Sequence, residues 1–285
     1  MRDVIVAVIF WAIPLAYIVF RGFRSPDERF LQRWAGAYGI ELTERNRAMV
    51  QTCLRRTRRI RTLGALAGVF FSVIYVTITE NSTSFLGNGL FLAVVGYLMG
   101  TVVAEAVVPR PHRGATRMAT LVPRTLHDYL PRYAIVALRA LPAISVSLIP
   151  VYVAVEARFQ ILIFHISPVG FAVISGVLVA MAVGVEAVER GIVRRPQPVV
   201  SPDLLEADDA IRSASVHALS GGGVALALLG LSYQLSEISS IMTVRTLSPL
   251  GFLPVLMLGL ALKSWIDLGH PKAWRVRRVH QGSGA

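Results

Sequence analysis

Seven stretches of the chain are each apolar over close to the length needed to cross a bilayer: Val4–Phe20, Leu63–Thr79, Phe85–Val108, Tyr133–Val155, Ile161–Val188, Val216–Leu235 and Thr246–Leu268. About 20 residues at a rise of ~1.5 Å each cover the ~30 Å of hydrocarbon, and tilts or flanking residues absorb differences in length. Within hydrocarbon a segment must satisfy its own backbone hydrogen bonds, so runs of this kind fold as helices. The expected fold class is an all-α integral membrane protein of about seven transmembrane helices. Composition excludes the alternative of an ordinary soluble domain, because the chain is 54% hydrophobic and only 16% charged, with a mean hydropathy of +0.58.

The charges sort by side. Of the 29 Lys and Arg residues, 24 fall in Arg21–Thr62, Pro109–Arg132, Glu189–Ser215 and Gly269–Ala285. Segments rich in Lys and Arg stay in the cytoplasm, which puts the N-terminus outside and the C-terminus inside. The net charge of +12 is then a topology signal, and no nucleic-acid-binding module accompanies it. Arg outnumbers Lys 27 to 2, a bias typical of GC-rich coding, so the expected location is a bacterial plasma membrane. Val4–Phe20 reads as an anchor running into "RGFR", and the lone Cys53 has no internal disulfide partner.

An internal repeat organises the spans. "ISPVGF" at Ile166–Phe171 recurs as "LSPLGF" at Leu247–Phe252, and the same offset of 81 relates Ala137, Leu138, Leu148, Tyr152 and Glu156 to Ala218, Leu219, Leu229, Tyr233 and Glu237. Ser is a preferred N-cap and Pro suits the first helical position, so each hexapeptide is expected to start a helix. A shorter copy upstream carries Tyr75, Glu80, Ser84 and Gly87. The expected architecture is one N-terminal span plus three repeated helical hairpins around a pseudo-threefold axis along the membrane normal. It divides into an anchor (1–24), an amphipathic and basic cytoplasmic segment (25–62), three hairpins (63–110, 111–196 and 197–270) and a basic tail (271–285). Glu80, Glu156 and Glu237, with Tyr75, Tyr152 and Tyr233, would then gather near an outer mouth as a candidate site for cations. "GALAG" at Gly64–Gly68 and "GYLMG" at Gly96–Gly100 have the small-xxx-small spacing that lets two helix backbones touch within the first hairpin.

The inner segments have their own order. "SPDERFLQRWAGAY" sets Ser25 and Glu28 at capping-box spacing, and Phe30, Leu31, Trp34 and Tyr38 share one face of a helix expected to lie in the membrane interface. A second amphipathic stretch is expected near Val122–Tyr133. Arg55, Arg56, Arg58, Arg59 and Arg61 are candidates for contact with anionic lipid head groups, each worth ~1 kcal/mol near the surface. Asp203, Glu206, Asp208 and Asp209 form a lone acidic cluster, a helix start favoured by the dipole and a candidate docking surface for a basic soluble partner.

Chemistry is sparse by comparison. His112, His127, His165, His217, His270 and His280 stand singly, without His-Glu-x-x-His or paired-Cys spacing. "SGGGVALA" at Ser220–Ala227 lacks the Lys of a phosphate loop and reads as helix packing. No catalytic, cofactor or metal residues are therefore assigned. The expected function is a non-catalytic multi-pass membrane component of a transport or export system, working with a separate nucleotide-hydrolysing subunit. A membrane scaffold or assembly protein binding lipids or other membrane proteins is the second class, and a lipid-modifying enzyme the third. Expected partners are the bilayer and a soluble cytoplasmic protein, with no nucleic acid; a homo-oligomer is permitted but not forced.

Overall fold

The structure, a computed structural model, describes residues 16, 19–20, 22–79, 85–107, 117–118, 125–159, 166–195, 197–198, 201–243 and 253–269. Its helices are α1 (Glu28–Tyr38), α2 (Glu44–Thr79), α3 (Phe85–Val107), α4 (Arg132–Phe159), α5 (Pro168–Arg194), α6 (Pro202–Thr243) and α7 (Leu253–Gly269). A two-residue antiparallel pairing joins Arg117–Met118 to Gln197–Pro198. The described chain is thus helical, and among the described residues three segments are long and apolar enough to cross a membrane: Arg132–Arg158, Pro168–Arg194 and Pro202–Ile241. The expected spans at Leu63–Thr79 and Phe85–Val108 coincide with helical residues of α2 and α3. Most of Val4–Phe20 and the second hexapeptide, Leu247–Phe252, lie outside the described residues.

The chain divides into two compact units. The first contains α1, α2, α3 and the start of α6 as far as Ser215; the second contains α4, α5, α6 from Val216 and α7.

In the first unit, Leu31 of α1, Met49 and Val50 of α2, and Ala207 and Ile211 of α6 form a buried core. Trp34, Ile40, Leu42, Cys53, Leu54 and Leu204 pack around it. The sequence stripe on α1 is real, but protein covers it where the interface was expected to. Helix α1 also starts later than its capping-box spacing implied. Asp27 is the N-cap, and its side chain accepts from the Phe30 amide at 2.9 Å. An ionised carboxylate satisfies a free amide and complements the helix dipole, so it displaces Ser25 from that role. Gly39 ends the helix at φ 67°, a left-handed conformation that costs glycine little.

Helix α2 is continuous over 36 residues and runs from Glu44 through the expected span at Leu63–Thr79. Its start is a reciprocal cap: Thr43 Oγ1 accepts from the Asn46 amide at 3.3 Å, and Asn46 Oδ1 accepts from the Thr43 amide at 2.9 Å. The glycine pairs meet as expected. A Cβ added at Gly64 would lie 2.7 Å from Gly100 Cα, and one added at Gly96 would lie 2.9 Å from Gly68 Cα. Backbone presses on backbone at this contact.

In the second unit α6 is the central helix, with 89% of its apolar window buried against 28% for both α4 and α5. The outward faces of those two carry Val136, Ile144, Val146, Val169, Val173, Val177 and Val183, all exposed as hydrocarbon would require. Ser167 and Pro168 start α5 as anticipated: Ser167 Oγ accepts from the Gly170 amide at 3.1 Å, with Pro168 in the first helical position. Where an amphipathic segment was expected near Val122–Tyr133, the described residues ahead of α4 hold a 3-10 turn, Leu126–Asp128, closed by Asp128 accepting from the Thr125 amide at 2.7 Å.

Candidate functional site

The acidic cluster opens α6, and its four carboxylates have different fates. Asp203 Oδ2 accepts from Thr43 Oγ1 at 3.0 Å, so the residue that caps α2 also holds the start of α6. Asp208 is buried and accepts from Arg212 Nε at 2.7 Å; Arg212 is itself only 2% exposed and donates through Nη1 to the Arg195 carbonyl at 2.5 Å. Asp209 is half-buried and Glu206 is exposed. The four candidate docking residues therefore do not share one exposed surface. Asp208 shares the buried side of the helix with Ala207 and Ile211, where an ionised carboxylate needs a partner, and Arg212 one turn on supplies it. Glu206 is the carboxylate of this group best placed to meet a partner.

The arginines of α2 separate in the same way. Arg55, Arg56 and Arg59 are exposed. Arg58 lies 3.9 Å from the ring centroid of Phe30, a cation–π contact that ties α1 to α2. Arg61 is drawn inward, with Nη2 3.0 Å from Glu105 Oε1 across the α2/α3 contact. Tyr38 is near this pair; burial, reinforced by Glu105 and opposed by Arg61, pushes its phenol above the ordinary range. Three of the five candidate lipid contacts are thus exposed, Arg59 with its guanidinium 6.0 Å from the ring centroid of Phe23. A surface hollow of about 560 Å³ lined by Arg29, Gln32 and Arg33 extends the basic character onto α1.

In the second unit, Tyr152, one of the residues expected near an outer mouth, has no exposed surface. It stacks on Phe171 with centroids 4.4 Å apart and donates its hydroxyl to the Ile166 carbonyl. Its repeat counterpart Tyr233 is 40% exposed. Glu156 and Glu237 are half-buried, and both lie close enough to Tyr152 to act on it electrostatically. Glu80 and the side chain of Tyr75 lie outside the described residues, so the expected triad is seen only in two members.

Two further polar groupings occur in the second unit. Ser145 of α4, Ser175 of α5 and Gln234 of α6 are all buried and close a ring of hydrogen bonds. Ser145 Oγ donates to Gln234 Oε1 at 2.7 Å, Gln234 Nε2 donates to Ser175 Oγ at 2.8 Å, and Ser175 Oγ donates to the Ser145 carbonyl at 3.2 Å. The second grouping surrounds Glu189 of α5, which is 1% exposed. Its neighbour Glu186 is engaged by Arg139 of α4, with Nη2 2.5 Å from Oε1, and by Arg190. Glu189 was assigned to a basic inner segment because Arg190 and Arg194 follow it closely. A signal was available: Leu178, Ala182, Val185, Glu189 and Ile192 recur at alternating steps of four and three, one helix face throughout.

Among the described residues, no group of three or more His, Cys, Asp or Glu side chains converges as a metal site. His127 and Asp128 are adjacent, but Asp128 is spent on the Thr125 amide and hydroxyl. What these arrangements provide is helix fixation, with Glu206 the exposed carboxylate at the start of α6 and Arg55, Arg56 and Arg59 exposed on α2. No family model, curated protein or solved structure matches the chain.

Proposed function

We propose that the protein is a non-catalytic multi-pass component of a transport or export system in a bacterial plasma membrane, working with a separate nucleotide-hydrolysing subunit. In this reading seven spans cross the bilayer, with the N-terminus outside and the C-terminus cytoplasmic. The division of 24 of 29 basic residues into alternate segments supports that topology. The three-hairpin arrangement rests on the offset-81 identities; a capped helix start at Ser167 and Pro168 is what the repeated unit requires.

The observation that carries the functional reading is the hydrophobic core shared by α1, the first half of α2 and the start of α6. Connections between packed helices need only about two to eight residues, so a connecting segment with its own buried core has a further use. Two of its three helices run on into apolar segments, which makes the layer suited to receiving a partner's movement. Glu206 then offers a contact amid basic surroundings, with Asp209 beside it. Asp203 and Asp208 serve the fold through Thr43 and Arg212.

The test is purification in mild detergent followed by identification of what accompanies the chain. An ATP- or GTP-hydrolysing protein is expected with the wild type and is expected to be lost from Glu206→Lys/Asp209→Lys, which should remain monodisperse. If the variant keeps every partner of the wild type, the docking surface is wrong. If no nucleotide-hydrolysing protein accompanies the wild type, the scaffold reading takes over. The closed ring of Ser145, Ser175 and Gln234, which holds three helices together without charge, favours that second reading.

A further inference from the structure

One face of α2 is left open along much of the helix. Arg56, Arg59, Leu63, Ala67, Phe70 and Ile74 follow one another at steps of three and four, and all six are exposed. The character of this face changes at a single step. On the N-terminal side of it stand two guanidinium groups; on the C-terminal side the side chains are apolar, with Leu63 53% and Phe70 62% exposed. Arginines that border an exposed apolar stretch reach for head groups while their stems lie against hydrocarbon, so the step from Arg59 to Leu63 marks a water–lipid boundary.

A second segment of chain stands at the same level. A Cβ added at Gly22 would lie 1.8 Å from Thr62 Oγ1, so the backbone ahead of α1 rests directly on α2, one turn from Arg59. Phe20 and Phe23 are exposed on this segment. Arg59 lies 6.0 Å from the centroid of Phe23, and Arg24 lies 5.7 Å from that of Phe20. Among the described residues no ion pair uses Arg24, Arg56 or Arg59, whereas Arg47 and Arg61 are paired with Glu28 and Glu105. Beyond Glu44, α2 contains no Asp or Glu that could supply a counter-charge.

We infer that this surface binds an anionic phospholipid, one whose phosphate is not balanced by an ammonium group. Arg24, Arg56 and Arg59 receive the phosphate, and an acyl chain follows Leu63, Ala67 and Phe70. A guanidinium offers phosphate oxygens two parallel N–H donors, so the fit is geometric as well as electrostatic. A zwitterionic lipid brings its own cation to a surface that has no carboxylate to receive it. A soluble acidic peptide would satisfy the arginines and leave the adjoining apolar stretch uncovered. The inference rests on the proposed topology, in which α2 enters the bilayer after Arg61. It also redraws the candidate set: Arg58 and Arg61 are engaged by Phe30 and Glu105, and Arg24 joins from outside the helix.

The test uses the full chain with Cys53→Ser and Ala67→Cys, a bimane fluorophore on the new cysteine, in phosphatidylcholine vesicles. Phosphatidylglycerol with a nitroxide on its acyl chain is compared, at equal content, with phosphatidylcholine carrying the same group. The phosphatidylglycerol should quench more strongly, by at least about fivefold in relative association, the worth of one basic residue near an anionic surface. Arg56→Gln/Arg59→Gln should bring the two lipids to within about twofold, while Arg45→Gln, exposed and about 21 Å away along the helix, should keep the preference. Should the double variant not fold, Arg24→Gln, on the other segment, should lower the preference by itself. Equal quenching by the two lipids, or a preference unmoved by these variants, overturns the site and leaves the span standing. No quenching by either, with the unlabelled cysteine open to a water-soluble maleimide, removes the span as well. No quenching with the cysteine closed to that reagent puts protein on this face and overturns the lipid site alone.

Discussion

The α2/α3 contact and the α4/α5/α6 packing both join apolar helices, and they close by opposite means. In the first, Gly64, Gly68, Gly96 and Gly100 bring backbone against backbone, and a single ion pair, Arg61–Glu105, marks the edge. In the second, side-chain hydrogen bonds among Ser145, Ser175 and Gln234 join the helices. Lipid tails are as apolar as leucine, so association in a bilayer draws on close packing and polar bonds more than on hydrophobic burial. The glycine contact has no slack and specifies a distance. The hydrogen-bonded ring specifies a register.

Breaking the ion pair should have the largest effect. Arg61→Met leaves Glu105, 7% exposed, without its guanidinium, and is expected to cost about 3–5 kcal/mol of stability in detergent. Pairing it with Glu105→Leu should restore most of the loss, and helicity followed through denaturant titration measures both. Next comes Gly64→Val, whose added carbon falls 2.7 Å from Gly100 Cα. Backbone cannot yield as a side chain can, so about 1–3 kcal/mol should be lost, with a lowered thermal midpoint. The smallest effect belongs to Gln234→Leu. Ser145 and Ser175 keep bonds at 3.0 and 3.2 Å to one another, and the expected cost is about 1 kcal/mol, read as a shift in midpoint. Should Gln234→Leu prove more damaging than Gly64→Val, the contrast between the two packings fails.

The features legible in the sequence are those set by near neighbours. Ser167–Pro168 reads as a helix start because cap and first turn lie within four residues, and the glycine spacings declare a close approach before any partner is known. Competition between adjacent caps hid the start of α1, where Asp27 prevails over Ser25 two residues away. The ring of Ser145, Ser175 and Gln234 was illegible because its members lie 30 and 59 residues apart and none is unusual alone. Glu189 was hidden differently, since charge counting grouped it with Arg190 although periodicity sets it on the buried face. Asp208 teaches the same lesson. Its acidity was plain from the sequence, whereas its burial depended on Ala207 and Ile211 facing α1 and α2.

The hydrogen bond from Thr43 to Asp203 spans 160 residues of chain. Ribosomes add about 5–20 residues per second, so roughly 8–32 s separate the synthesis of its two ends. Throughout that interval Leu31, Met49 and Val50 exist without Ala207 and Ile211, the α6 residues that complete their core. The apolar stripe of α1 must wait against something, and the nearest apolar surface to a chain being inserted is the bilayer itself. A helix that ends inside a protein core is thus expected to spend its first seconds against the membrane surface, and the order of translation alone would account for both states.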